Sequence, residues 1–330
     1  MLPQAVSEHY VAQQRLVLST LALTRREWAT MGDDLDAGWS RIGPRLTYLV
    51  ASAQLGAARD GAAYVSAALG SSDTGAVGEV VPEAFAGQAS DGRPLDSLLY
   101  GSVVNARAAD ANSLEQRLKV GGSWLDMAVQ TQVADAARQA AGVGITARPK
   151  TGWIRMVNPP CCQRCAVLAG KLFRWNQGFQ RHPRCDCRHI PHAESDPFDP
   201  GIFIAPDDVK DLTKVQRQAI GDGADMNQVI NSRRGRSANG MYTTEGTTRH
   251  GWASHVKREL AKQRGEIAKE AATAAGRRGY IKNYSVRRVG PRPTPEGIYK
   301  YADSREEAVR LLAANGYIVS SIDRIARLAS

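Results

Sequence analysis

The chain is poor in aromatic residues and contains no long hydrophobic run. Phe, Trp and Tyr make up 6% of its 330 residues, which argues against an aromatic-rich groove for sugars or peptides. No apolar stretch approaches the roughly 20 residues that a transmembrane helix needs. Residues 1–4 also lack the basic and apolar regions of a signal peptide. We therefore expect a soluble protein without membrane contact that stays in the cell that makes it. At this length it should have two or three domains.

Common catalytic motifs are missing as well. The sequence has no G-x-S-x-G nucleophile elbow, no H-E-x-x-H motif and no P-loop. His9, His250 and His255 lie in polar stretches without the partner motif that a Ser-His pair requires. The prediction is that the chain is not an enzyme, with a protease kept as an alternative.

Cysteine is absent from most of the chain and concentrated in one short stretch. All five cysteines lie between residues 161 and 187. Disulfides are not expected, because the cytosol keeps thiols reduced. Cys162 and Cys165 form a C-x-x-C pair whose thiolates can face one ion. The interval of 19 residues from Cys165 to Cys185 is typical of zinc knuckles.

The second half of this cluster departs from the usual spacing, since its cysteines form a C-x-C pair. His182, three residues before Cys185, is therefore an alternative ligand, and His189 and His192 are further candidates. A reduced cysteine cluster that only packs is one alternative, and a catalytic cysteine with His182 as its base is another. The predicted structural zinc site, with Cys161 as the spare thiol, consists of Cys162, Cys165, Cys185 and Cys187.

Composition divides the chain into four predicted regions. Residues 1–150 are rich in alanine and place Leu and Val at helical spacing, with Gly121-Gly122 as a break. Residues 151–192 form the Cys/His knuckle, and residues 193–251 form a linker that is acidic and then basic. Residues 252–330 should form a basic helix and a small α+β tail. The predicted fold class is α+β and predominantly α-helical, with a helical N-terminal region, a small zinc-knuckle-like domain and that tail.

Local signals place elements within these regions. A long helix is expected from about residue 95 to residue 141, and a short one near residues 208–220. Ser304 and Glu307 fit a capping box at the start of another helix. Asn315-Gly316 fits the left-handed end of the same helix.

Charge is unevenly distributed along the chain. Residues 232–330 hold 20 Lys and Arg against 9 Asp and Glu, whereas residues 1–150 hold 13 against 15. A basic segment of this kind favours contact with a polyanion, and double-stranded DNA bound without sequence preference is the predicted partner. Arg233, Arg234 and Arg236 are the predicted phosphate contacts. The alternative is a solvated surface with no such partner.

The motifs of the knuckle, in chain order, are Trp153 with Arg155, Cys162-Gln163-Arg164-Cys165, Leu168-Ala169-Gly170, and His182-Pro183-Arg184-Cys185-Asp186-Cys187. In order and spacing they resemble the phage Mu head-morphogenesis (MuF-like) family, and the actinobacterial-phage type in particular. The resemblance covers residues 151–192. The chain departs from the pattern at Asp186, where many relatives carry arginine.

This resemblance implies a structural role in a virion. Members of the family are minor capsid proteins that are made beside the portal protein and join the prohead in few copies. The implied partners are the portal protein, the major capsid protein and packaged DNA. The implied location is the phage head, assembled in the cytoplasm of the bacterial host. Two alternatives remain: a capsid maturation protease or other enzyme fused to a MuF-like domain, and a zinc-stapled DNA-binding module acting alone.

Overall fold

The structure is a computed structural model that describes residues 4–179, 181–197, 204–224, 226–232, 293 and 295–319. Helices dominate these residues, and two small antiparallel sheets accompany them. The predicted class, α+β with mostly helix, is confirmed at this level. The helix expected from residue 252 lies outside the described residues.

Five helices form an N-terminal bundle. They are α1 (Gln4–Trp28), α2 (Leu35–Leu69), α3 (Leu95–Leu99), α4 (Gly101–Ala108) and α5 (Leu114–Thr146). The single helix expected from residue 95 to 141 is therefore three helices. A loop separates α4 from α5, and α5 continues to Thr146 rather than ending near residue 141.

The glycine pair in α5 does not break the helix, contrary to the prediction. The start of α5 is fixed by Ser113, whose side chain caps the amide of Gln116. A Cβ at Gly121 would lie 2.7 Å from both the Ser102 carbonyl oxygen and the Trp28 ring. The absent side chain thus lets α1 and α4 approach α5 closely, and this packing offsets the low helix propensity of glycine.

The C-terminal part of the chain packs on this bundle. Its described residues form α9 (Pro295–Tyr301), α10 (Arg305–Ala314) and β5 (Ile318–Val319). β5 pairs antiparallel with β1 (Glu79–Val80), which follows α2 in the chain. Apolar side chains of these elements are fully buried in the same core as the bundle: Ile298, Leu311 and Leu312.

The boundaries of α10 follow the predicted signals. Ser304 accepts a hydrogen bond from the amide of Glu307 at the first turn. At the other end Gly316 has φ +73°. Its amide bonds the carbonyl of Ala313, and the amide of Tyr317 bonds that of Leu312. This is the Schellman arrangement, which a residue in the left-handed region completes.

The knuckle forms a second, smaller unit against the bundle. Its sheet has the antiparallel order β3-β2-β4, with β2 at Thr151–Met156, β3 at Leu172–Phe173 and β4 at Arg188–Ala193. Helix α6 (Gln163–Leu168) lies between β2 and β3 in the chain. Side chains from the bundle, Val6, Tyr64 and Ile145 among them, share its apolar core.

Two short helices follow the knuckle and end the described part of the linker. They are α7 (Lys214–Gly221) and α8 (Met226–Ser232). A 3-10 turn at Pro206–Asp208 precedes them, so the helix expected near residues 208–220 begins later than predicted. Among the described residues, no helix is both long and apolar enough to cross a membrane.

Candidate metal centre

The cysteines and His182 converge from two separate parts of the knuckle. Cys162 lies at the N-cap of α6, and Cys165 lies in the first turns of that helix. His182, Cys185 and Cys187 come from the loop that leads into β4. The sheet brings this loop back because both β3 and β4 pair with β2.

Five donor atoms meet there in two triads that share Cys165. Within the described residues, Cys162, Cys165 and His182 form one triad, and Cys165, Cys185 and Cys187 form the other, each with all donor atoms within 4.8 Å of one another. The Cys165 sulfur is 3.8 Å from that of Cys185 and 3.1 Å from that of Cys187. Sulfur ligands at 2.3 Å from a tetrahedral ion lie about 3.8 Å apart. The cluster can therefore bind a metal ion.

The triad of Cys162, Cys165 and His182 contains a close contact between a thiol and an imidazole. Cys162 Sγ lies 3.1 Å from His182 Nε2. Hydrogen bonds with Cys165 and then with His182 lower the pKa of the Cys162 thiol to about 4. The hydrogen bond with Cys162 in turn raises the pKa of His182 to about 9. These hydrogen bonds therefore stabilise the thiolate of Cys162 without a metal ion.

Cys161 stands apart from both triads. Its backbone bonds the carbonyl of Asp208 and the amide of Lys210, so it holds the linker against the knuckle. Burial raises the pKa of its thiol to about 11. Its thiol is therefore neutral, and the residue belongs to the apolar core of the knuckle.

Arg138, which lies on α5 of the bundle, binds the loop before β4 that carries Cys185 and Cys187. This loop is called the cysteine loop below. Arg138 lies in the C-terminal third of α5 and is 2% exposed. Its guanidinium donates to the carbonyl oxygens of Cys185 and Cys187, the latter at 2.8 Å, and forms an ion pair with Asp135 at 2.7 Å. Nothing in the spacing of the cysteines predicts this residue, because it lies 47 positions before Cys185.

A second buried guanidinium faces the sulfur atoms directly. Arg155 on β2 is 1% exposed, with Nη2 3.8 Å from Cys185 Sγ and its charge stacked over the Phe179 ring. Its Nε and Nη1 find no hydrogen-bond partner in the described part of the chain. A buried cation needs a compensating anion, and a metal thiolate centre supplies one. The residues present therefore fit a metal held by deprotonated cysteines.

The other histidine candidates take no part in these triads. His189 is buried in the knuckle core, where its ring centroid lies 4.5 Å from that of Trp153 and 4.4 Å from that of Phe179. Burial lowers its pKa well below the ordinary value, so the ring is neutral. His192 lies near the end of β4. The three arginines predicted to contact DNA, Arg233, Arg234 and Arg236, lie outside the described residues.

Comparison with known proteins gives no relative on which to base an assignment. No family model matches the chain, and searches of curated proteins and of solved structures find no match. Any functional conclusion therefore rests on the geometry of this site and on the sequence itself.

Proposed function

We propose that this chain is a non-catalytic minor capsid protein of a phage head, related to the Mu head-morphogenesis family, with a structural zinc ion that holds its knuckle together. The observation that carries the metal part is the convergence of five donors beside the buried cations Arg138 and Arg155. The role in the head rests on the resemblance of residues 151–192 to that family, and the described fold is compatible with it.

Zinc is the metal that this donor set favours. Thiolates are soft ligands, and sites of three or four cysteines with imidazole select zinc over hard cations such as magnesium. Cys185 and Cys187 are buried, with 5% and 2% of their surface exposed. A closed site that the protein's own donors can fill is typical of structural zinc rather than of catalytic zinc, which keeps a position for water.

The proposed zinc ion would stabilise the fold of the knuckle. The knuckle's own sheet is small, with only two residue pairs between β2 and β3. A zinc ion would join the start of α6 to the loop before β4, and Arg138 joins that loop to α5. Binding energy from the metal then becomes folding energy for the knuckle.

The proposed partners follow from charge and from the family likeness. The bundle would dock on the portal protein or the inner capsid wall. The basic segment within residues 232–330 would contact double-stranded DNA through phosphate, without sequence preference and with strong salt dependence. Arg233, Arg234 and Arg236 are the first residues to replace in testing that contact.

One experiment addresses the head role directly. Proheads and mature heads are isolated from phage that carry the gene, and this protein is sought by mass spectrometry, together with the Cys185→Ser/Cys187→Ser variant. The wild type should be present in few copies, and the variant should be incorporated poorly. Absence of the wild type from both particles would overturn the proposal. Unprocessed capsid protein in a knockout would favour the protease instead.

A thiol enzyme is the second candidate, because Cys162 and His182 have the separation of a nucleophile and its base. The two candidates predict opposite effects of zinc. A thiol nucleophile would be blocked by stoichiometric zinc and would react fastest in chelator, whereas a structural site would lose folded knuckle in chelator. Peptidase and thioester assays of the metal-free and zinc-loaded chain separate them.

A further inference from the structure

One thiol of the knuckle differs from the other four in its access to solvent. Cys162 is half-buried, whereas Cys161, Cys165, Cys185 and Cys187 are buried. We propose that Cys162 is an oxidation site that reacts with hydroperoxides, and that Cys165 then closes a disulfide with it. The loss of metal that would follow rests on the proposed metal centre, whereas the disulfide itself does not.

The contact with His182 makes Cys162 a reactive thiol. Cys162 Sγ lies 3.1 Å from His182 Nε2. His182 Nδ1 lies 2.8 Å from the carbonyl oxygen of Pro183, which can only accept, so Nδ1 carries a proton. Nε2 is therefore the nitrogen that can take the proton of the Cys162 thiol. An imidazolium beside the sulfur stabilises the thiolate, which is the form of cysteine that attacks peroxides.

The neighbouring Cys161 provides a comparison within the chain. It is 7% exposed and packs in the apolar core of the knuckle. Among the described residues it belongs to neither of the two triads. A thiol buried in apolar surroundings stays protonated and reacts slowly. Cys161 and Cys162 are adjacent in the chain, so a difference in their oxidation rates reports their surroundings.

Cys165 lies where it can react with the oxidised sulfur of Cys162. It follows Cys162 by three residues on α6, and the two sulfur atoms lie within 4.8 Å of each other. A C-x-x-C pair is also the spacing at which dithiol proteins form a disulfide. Cys187 Sγ lies closer to Cys165 Sγ, at 3.1 Å, but both residues are buried and shielded from a peroxide in solution. Access to solvent therefore selects Cys162 for the first step, and proximity selects Cys165 for the second.

The proposed reaction has two steps. The Cys162 thiolate attacks one oxygen of the hydroperoxide, the O–O bond breaks, and the departing alkoxide or hydroxide takes the proton held by His182. Sulfur is oxidised to a sulfenic acid, and the peroxide is reduced to an alcohol or water. The Cys165 sulfur then attacks the sulfenic sulfur and forms the S–S bond. The hydroxyl leaves as water with the Cys165 thiol proton, or with a solvent proton if Cys165 binds metal.

A disulfide at this position would disrupt both triads of donor atoms. Cys165 belongs to both of them, so an ion held by either triad loses a ligand when Cys165 is oxidised. Metal binding requires thiolates, and the energy of metal binding is part of the folding energy. Oxidation should therefore release the ion and detach the start of α6 from the cysteine loop. Reduction in the presence of zinc should restore both.

The test uses the full-length chain, reduced and supplied with zinc, and its metal content is measured first. Hydrogen peroxide is added in stoichiometric steps. A colorimetric chelator measures the released zinc, and mass spectrometry after thiol alkylation maps the disulfides. Wild type is compared with Cys162→Ala and Cys161→Ala, and dimedone traps the sulfenic acid in Cys165→Ala. Each reaction is repeated on the metal-free chain, and far-ultraviolet circular dichroism checks that each variant keeps its helices.

In wild type the first disulfide should join Cys162 and Cys165, and one zinc should leave for each disulfide formed. Cys162→Ala should lose thiols at least about tenfold more slowly than wild type, Cys161→Ala should match wild type, and dimedone should label Cys162. A first disulfide between other thiols overturns the proposal, and this result does not depend on how any variant folds. Thiol loss no faster in wild type than in Cys162→Ala overturns it as well. If the disulfide forms but the reduced chain binds no zinc, the oxidation site stands and the proposed metal centre fails.

Discussion

Tyr10 on α1 donates a 2.7 Å hydrogen bond to the carboxylate of Asp186, the residue between the last two cysteines of the knuckle. The same hydroxyl accepts from Asn158 at 2.7 Å, and Gln14 adds a further bond to Asp186. Burial, assisted by Asp186, raises the pKa of Tyr10, so its hydroxyl keeps its proton. The loop that carries Cys185 and Cys187 and the first helix are therefore joined by a polar contact outside the apolar core.

Replacement of Tyr10 by Phe tests this contact. The ring remains while the hydrogen bonds are lost, so the chain should be destabilised by about 1–2 kcal/mol. Hydrogen exchange should rise in residues 185–187, and metal affinity should fall slightly. Tyr48, which is 71% exposed, provides the control, because Tyr48→Phe should change neither quantity. Equal behaviour of the two variants would show that the contact contributes nothing.

Removal of the metal should loosen the knuckle and spare the bundle. The two apolar cores are separate clusters, and Trp153 lies in that of the knuckle, stacked on Phe173 at 4.3 Å. At free zinc a thousandfold above Kd, the bound ion stabilises the folded state by about 4 kcal/mol. Chelation should therefore lower the Tm and weaken the tryptophan signal while helical circular dichroism persists. Zinc but not magnesium should restore both. An unchanged Tm in chelator would argue that no structural metal is present.

Replacement of Arg138 by Met removes the guanidinium that holds the cysteine loop. The buried carbonyl oxygen of Cys185 would lose its donor, that of Cys187 would keep only Arg188 at 3.1 Å, and Asp135 would keep Arg181 at 2.6 Å. We expect a loss of about 3–5 kcal/mol in stability and of about 10–100-fold in metal affinity. Arg117→Met, on the same helix but half-buried and far from the cysteines, is the control. Full metal affinity in Arg138→Met would contradict this role.

Two glycines of α5 should respond in opposite ways to alanine. At Gly121 a Cβ would meet the Ser102 carbonyl and Trp28 at 2.7 Å, so Gly121→Ala should cost about 1–3 kcal/mol. At Gly142 the nearest atom is the Tyr299 hydroxyl at 3.6 Å, an ordinary contact. Gly142→Ala should therefore gain up to about 1 kcal/mol from helix propensity. Denaturant unfolding measures both, and a stabilised Gly121→Ala chain would refute the close packing of α5.

The contact between buried His9 and partly exposed Asp60 predicts a dependence of stability on pH. Burial acts to raise the pKa of Asp60, but hydrogen bonds from His9 and Gln13, each 2.6 Å, outweigh it and the net shift is downward. A lowered carboxyl pKa stabilises the fold above the unfolded value near 3.8, and the gain is lost as pH falls through the folded value. Asp60→Asn should cost about 1 kcal/mol at pH 6, given that the carboxylate is 39% exposed.

That difference between wild type and Asp60→Asn should shrink as the pH approaches 3. Asp110→Asn, at an exposed position, should show little difference at either pH. Unfolding by urea at a series of pH values provides the measurement. A cost that stays constant down to pH 3 would mean that the carboxylate charge is not what stabilises the pair.

The sequence predicts which side chains of the knuckle group together, but not which residues of the bundle hold them in place. Cys162, Cys165 and His182 could be grouped from their spacing, because a C-x-x-C pair and a histidine before the next cysteine are local patterns. Arg138 and Tyr10 could not be assigned, since each reaches the cysteine loop from a helix distant in the chain. Contacts of this kind depend on how helices pack, which residue spacing does not encode.

The mostly helical class could be predicted because helical periodicity is also a local pattern, whereas the ends of the helices could not. Alanine-rich periodicity predicts the bundle, but helix propensity alone wrongly predicts a break at the glycines 121 and 122. Their effect depends on Trp28, which lies across from them on α1. Similarly, the capping signals located α10, but nothing in them indicated that Ile298 and Leu311 complete the core of the bundle.

The pairing of β1 with β5 has a consequence for how the protein is made. Val80 leaves the ribosome long before its partner Ile318. Synthesis of the 238 residues from Val80 to Ile318 takes roughly 12–48 s at about 5–20 residues per second. Throughout that interval the nascent bundle has an unpaired strand edge and an unfilled apolar surface, both of which favour association with other chains. The core of the bundle can therefore be completed only when synthesis has reached residue 319, which leaves chaperones time to engage the nascent chain.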